Sequence, residues 1–141
     1  MRRRSIHTTR RFDSETLAAL HHGKTLRVKA GDRPHRFINI WVVVVDDRVF
    51  VRSWSIKARG WYRTLLKEPR GFIQIARRTI PVRARQVRSE RLRSAIDRAY
   101  LEKYDAPGSL PYAQDLGRAN SRATTTELVP GGGAHRGGAA S

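Results

Sequence analysis

The sequence predicts a single α+β domain, mainly β, in which six short antiparallel strands close into a small barrel with a few helices around it. Three observations support this. Runs of strand length recur at Lys24–Ala30, Arg36–Val45, Arg48–Trp54, Gly71–Ala76, Thr79–Val87 and Arg122–Val129. The middle four of these fall into two pairs separated by two-residue connections, the signature of antiparallel hairpins. Helical spacing is confined to short segments that cannot cover many strands, so the sheet has to remove its own edges by closing.

Residues 1–11 (MRRRSIHTTRR) have no apolar periodicity and are expected to form a disordered basic arm. Phe12-Asp13 opens the first helix: Asp13 is an N-cap, Glu15 suits the positive end of the dipole, and Phe12 can staple onto Leu17. Leu17, Leu20 and His21 share a face, and Gly23 ends the helix. His21 and His22 complement the dipole there better than they suit ligand roles. Lys24–Ala30 alternates apolar and basic residues as a half-buried strand does, and residues 31–34 (GDRP) turn the chain. Arg36–Val45 is the strongest strand, and its end is apolar on both faces, which calls for cover on two sides.

Asp46-Asp47 is a tight connection to Arg48–Trp54, where Val49, Val51 and Ser53 share the core face and Arg52 and Trp54 point the opposite way. This carries Ser53 to the inner rim of the barrel. Gly60–Lys67 is a short helix with Trp61/Leu65 and Tyr62/Leu66 one turn apart, stopped by Pro69. The second hairpin turns through Arg77-Arg78; Pro81 suits an edge or a strand start, and Arg83 and Arg85 share a solvated face. Ser89 caps a longer helix with Leu92, Ala95, Ile96, Ala99 and Tyr100 at helical spacing. Pro107, Gly108 and Pro111 break residues 105–117 into an expected ordered loop, and Arg122–Val129 is β-branched and supplies a closing strand. The barrel domain is thus expected over residues 12–130, with 131–141 a disordered Gly-rich tail.

The 141 residues suffice for one domain with a real core. With 29 Lys and Arg against 12 Asp and Glu, the formal charge of +17 attracts polyanions, phosphorylated ligands or anionic surfaces. The cations are mostly Arg and scattered along the chain, so nucleic-acid binding is expected to be weak or non-specific. The absence of Cys excludes disulfides, thiolate metal sites and Cys nucleophiles. No apolar run approaches the ~20 residues that span a bilayer, and no hydrophobic segment follows the basic start as in a secretory signal, so a cytoplasmic protein without a membrane partner is expected. The five His residues lack carboxylates at ligand spacing, and no nucleophile elbow or phosphate-cradling glycine pattern is present. No metal is expected, and any catalysis has to borrow a cofactor's chemistry.

The stretch Ser53–Arg63 (SWSIKARGWYR) concentrates the candidate chemistry. Ser53 and Ser55 bring hydroxyls, Lys57 and Arg59 full positive charges, and Gly60 an unobstructed backbone just before a helix start, a combination that suits an anion. Trp61 and Tyr62 add flat faces for a ring. A ligand with a phosphate at one end and a ring system at the other would match; the other reading is a solvated loop whose aromatics anchor the helix to the core.

Phe12-Asp13 at a helix start, Ile40–Val44 (IWVVV), Val51-Arg52-Ser53, residues 59–63 (RGWYR) and residues 122–125 (RATT) resemble a family of uncharacterised bacterial proteins. That family is related to the flavin-binding split barrels, the pyridoxamine-phosphate-oxidase-like superfamily, and the chain is more distantly similar to the deazaflavin-dependent nitroreductases. The resemblance runs from about Phe12 to Pro130, with residues 100–104 (YLEKY) filling the nitroreductases' Tyr-x-x-x-Tyr segment. It implies an FMN-binding split-barrel-like fold and a hydride transfer from 8-hydroxy-5-deazaflavin coenzyme or FMN to a small organic acceptor, or a non-catalytic carrier or sensor on the same barrel. It further implies that Ser53, Lys57 and Arg59 meet the cofactor's phosphate, that Arg36 reaches the same anion and that Trp61 walls the site. Tyr104 or Tyr112 would lie on the substrate side, each equally suited to a buried structural role. A homodimer paired through a sheet face is compatible with it. The nitroreductases' Ser-Lys-Gly-Gly loop is not reproduced: Trp54 and Ile56 make this one bulkier.

Overall fold

The structure is a computed structural model of the chain, and it describes residues 11–31, 36–54 and 60–131. The expected basic arm and Gly-rich tail therefore lie outside the described residues, apart from Arg11 and Gly131. The first helix, α1 (Ser14–His22), starts as its sequence requires, with the Asp13 carboxylate accepting from Thr16 N at 2.7 Å. Then follow β1 (Thr25–Ala30), β2 (Ile38–Val45), β3 (Arg48–Val51), α2 (Trp61–Lys67), β4 (Arg70–Ile75), β5 (Arg78–Gln86), α3 (Glu90–Lys103), α4 (Leu110–Leu116), α5 (Ala119–Arg122) and β6 (Thr126–Pro130).

The six strands close in the order β1-β2-β3-β6-β5-β4, every neighbouring pair antiparallel, with β1 against β4 sealing the ring. Both two-residue connections are left-handed at both positions, at Asp46 (φ 54) and Asp47 (φ 61) and at Ala76 (φ 51) and Arg77 (φ 67). That twist matches the strands it joins. The second turn is one residue earlier than expected, since Arg78 already pairs with Ile75. Pro81 lies where β5 runs past the last paired residue of β6, and Gly131 N donates to its carbonyl. Its missing N–H thus faces the side on which no strand remains to receive it.

Alternate residues fill two cores. Leu26, Val28, Ile40, Val42, Val49, Val51, Ile73, Val82 and Leu128 point into the barrel. Phe12, just ahead of α1, and Leu20 of α1 close one end, and Leu65 closes the other from α2. Val43 and Phe50 face outward against Ile96, Tyr100 and Tyr104 of α3 and its C-cap, and Ala113 and Leu116 of α4. The doubly apolar end of β2 is thereby explained: Val42 lies inside, Val43 beneath a helix.

Residues 105–117 are not an unbroken loop. Pro111 occupies the first turn of α4, where its absent N–H has no partner to lose, and Gly117 follows the last turn. The closing strand is also shorter than expected, because Arg122 ends α5 and the ladder begins at Thr126.

Candidate functional site

At the end of β3 the backbone alternation delivers Arg52 outward and Ser53 inward, and both are buried. Arg52 is the largest fully buried side chain among the described residues. Its Nε donates to Thr125 Oγ1 (2.8 Å), Nη1 to Asp97 Oδ1 (2.6 Å) and to the Leu116 carbonyl (2.9 Å), and Nη2 to the Arg93 carbonyl (3.0 Å). The Tyr100 ring lies 5.7 Å from the guanidinium. Burial works against the charge and lowers the Arg52 pKa, while Asp97 opposes that shift. Asp97 also accepts from Arg122 Nε, and Arg122 reaches on to Glu90. One guanidinium therefore ties β3 to α3, to α4 and to the residues that lead into β6. Sequence reasoning placed Arg52 on the outward face without expecting cover there. The signal was present in Phe50, its neighbour on that face, and in the apolar stripe of the long helix.

Ser53 sits on a bed of buried hydroxyls. Its N donates to Thr124 Oγ1 at 2.8 Å, Thr124 Oγ1 lies 2.6 Å from the Ser121 carbonyl, and Thr126 Oγ1 donates to the Thr124 carbonyl. Each hydroxyl is bound to backbone, so the bed is a rigid support for the rim. Ser55, Lys57 and Arg59 lie outside the described residues. Gly60 is the N-cap of α2 and offers no side-chain cap, and Trp61 packs partly against the barrel core. The Tyr62 hydroxyl reaches Gln86 Oε1 at 3.3 Å. Arg36 is exposed in the lead into β2 and makes no hydrogen bond or ion pair with another described residue.

An aromatic series runs inward from this rim. Tyr112 (57% exposed) meets Trp54 (45% exposed) edge-on at 6.4 Å and 89°. Trp54 meets Trp41 at 5.2 Å, and Trp41 stacks flat on Tyr104 at 3.9 Å and 3°. Tyr104, for which the resemblance left a substrate-side and a buried structural place open, is buried in the wall. Its hydroxyl accepts from Val42 N (3.1 Å) and faces the Lys24 and Val42 carbonyls, and burial pushes its pKa up to about 12. Pairing of β1 with β2 stops at Thr25–Trp41, so Tyr104 replaces the missing strand neighbour of Val42. Lys103 assists from the same turn, donating to the Leu20 and Val42 carbonyls at 2.8 Å each, and burial pulls its pKa down to about 8. Of the two candidate tyrosines, Tyr112 is the one that presents its ring to solvent.

The rim thus offers two exposed rings at a right angle and a rigid hydroxyl bed. Among the described residues no three His, Asp or Glu side chains converge as a metal site needs, and no helix is long and apolar enough to cross a membrane. A conserved hypothetical protein, Rv2991, from Mycobacterium tuberculosis has a solved structure similar to this one, with a TM-score of 0.53 over 88% of this chain and 82% of that one. At 13% sequence identity the likeness shows the fold, a six-stranded antiparallel split barrel with flanking helices. No curated protein matches the chain. Residues 16–128, from the first helix through the closing strand, match the profile of a family described as uncharacterized proteins conserved in bacteria, DUF2255, and the chain belongs to that family.

Proposed function

We propose that this protein is a flavin- or deazaflavin-dependent oxidoreductase that binds FMN or an 8-hydroxy-5-deazaflavin coenzyme at the β3 rim and serves a small organic acceptor. The right-angled exposed pair of Trp54 and Tyr112 carries this reading. It supplies flat apolar area for a ring system immediately before the stretch in which the sequence sets Ser55, Lys57, Arg59 and Gly60. Lys57, Arg59 and Ser53 would hold the phosphate, and Arg36 would add a further cation. When bound, the cofactor's ring supplies the hydride chemistry. The chain's share is to anchor the anion, to cover one face of the ring with Trp54 and to orient an acceptor near the Tyr112 hydroxyl.

The test is a fluorescence titration of purified protein with FMN and with the deazaflavin coenzyme, each oxidised and reduced. Charge-assisted hydrogen bonds to an anchored phosphate contribute roughly 1.5–3 kcal/mol each. Replacing both Lys57→Ala and Arg59→Ala is therefore expected to weaken binding about 100-fold. Unchanged affinity would overturn the assignment of the phosphate to this stretch.

One observation favours a non-catalytic carrier or sensor on the same rim: the Tyr104 hydroxyl is committed to backbone, which leaves fewer proton donors facing outward. Turnover of a nitro-aromatic or quinone panel by the reduced holoprotein separates enzyme from carrier.

A further inference from the structure

We infer that the uncovered face of the barrel, made by β1, β4, β5 and the first half of β2, binds single-stranded nucleic acid. This inference does not rest on the cofactor reading. Helix α3 packs on β2, and α1 and α2 close the barrel's ends, so among the described residues no helix lies over the outward side chains of β1, β4 and β5. The register sets Arg27 between Asn39 and Gln74, Lys29 beside Phe72, and Arg70 directly opposite Arg83, with Arg85 further along the same strand. Arg27, Arg70, Arg83 and Arg85 are exposed, and none of these five cations forms an ion pair with a described carboxylate. The acid in register with them, Glu127 opposite Arg85, is buried and held through both oxygens by Arg48.

This arrangement carries a cost that a polyanion relieves. Like charges directly opposite across two strands repel, and Arg70 facing Arg83 is such a pair. A phosphate between them turns the repulsion into two charge-assisted contacts. A second copy of the chain would instead bring the same cations against each other, so the face is not self-complementary.

Two features favour a single strand over a duplex. Lys29 lies over the half-exposed rings of Phe37 and Phe72, at 5.5 and 5.2 Å, which places flat aromatic surface among the cations. Beside them a polar groove of about 480 Å³ is lined by Thr25, Arg27, Asn39, Gln74, Arg77 and Thr79, donors and acceptors suited to unpaired base edges. A basic track with interleaved rings is how sheet surfaces hold single strands, whereas a duplex keeps its bases out of reach.

Anisotropy of a fluorescein-labelled oligothymidylate, titrated with full-length protein over a salt series, tests this. The triple variant Arg27→Ser, Arg70→Ser, Arg83→Ser is expected to lose ~10-fold or more in affinity at about 150 mM salt and to flatten the log–log salt slope by about 2. A charge-matched control, Lys67→Ser, Arg91→Ser, Arg98→Ser, is expected to change affinity by less than ~3-fold. Phe72→Leu keeps the packing but removes the ring face, and is expected to weaken the oligothymidylate several-fold with the salt slope unchanged. Urea unfolding of each variant verifies that the fold is intact. Equal losses in the two triple variants, loss of binding on deleting residues 1–10 with the face intact, or a duplex bound as tightly as the single strand would each overturn the inference.

Discussion

A hydroxyl group separates the fates of Tyr104 and Tyr112. In Tyr104→Phe the Val42 N–H keeps its burial and loses its acceptor, because β1 does not extend far enough to supply one. An orphaned buried donor costs about 1–3 kcal/mol, so the urea midpoint should fall accordingly. Tyr112→Phe touches an exposed ring whose hydroxyl has no described partner, and its midpoint should match the parent's. Equal stability of the two variants would remove Tyr104 from its structural role and return it to the list of candidate site residues. The sequence could not rank these tyrosines, because both follow the same long helix and both occur in polar surroundings. The ranking depends on where β1 begins relative to β2, a register that neither strand's alternation states. Trp54 is equally hidden: alternation directs it away from the core, but its right angle to Tyr112 depends on α4, where the sequence predicts a loop.

At the scale of elements, the hairpins were legible because two-residue connections between alternating runs leave few geometries. The region from 105 to 125 was not, because Pro111 and Gly117 mark a helix's start and end with the same residues that elsewhere break one. Arg52 joins these two regions. Its guanidinium reaches Thr125, Asp97, Leu116 and Arg93, four partners spread over α3, α4 and the approach to β6. Removing one member of a buried ionic cluster strands the others, at about 3–5 kcal/mol. Arg52→Met is expected to lose that much in urea unfolding, although Met matches the stem in length and polarity. Arg52→Lys should recover less than half of the loss, since a single ammonium cannot reach three directions at once. A loss below about 1 kcal/mol in Arg52→Met would mean that Arg122 alone satisfies Asp97 and that the packing of α3 and α4 does not depend on Arg52.

For the molecule as a whole, closure could be inferred from the strand count and the shortage of helices, but the choice of which face stays bare could not. Among the described residues it follows from the long helix lying across β2 and leaving β1, β4 and β5 open, a placement that no local pattern encodes. The consequence is an uneven charge distribution. In the described ion pairs of Arg78 with Asp13 and Glu15, of Arg122 with Glu90 and of Arg118 with Asp115 the acid is at least half exposed, so solvent screening leaves each pair weak. Against them stands a formal charge of +17, with cations adjacent across strands on the open face. Self-repulsion on that scale destabilises a compact state, and salt screens it by shortening the Debye length from about 30 Å at 0.01 M to about 8 Å at 0.15 M. The same salt weakens the exposed ion pairs, but these are few and weak, so repulsion should dominate the balance. The urea midpoint is therefore expected to rise between about 0.01 and 0.15 M sodium chloride. Urea is the denaturant to use because guanidinium is itself a salt. In the Arg27→Ser, Arg70→Ser, Arg83→Ser variant the rise should shrink, since the most crowded cations are gone. A midpoint that falls with salt would show the ion pairs outweighing the repulsion and would remove the energetic argument for an anion on the open face.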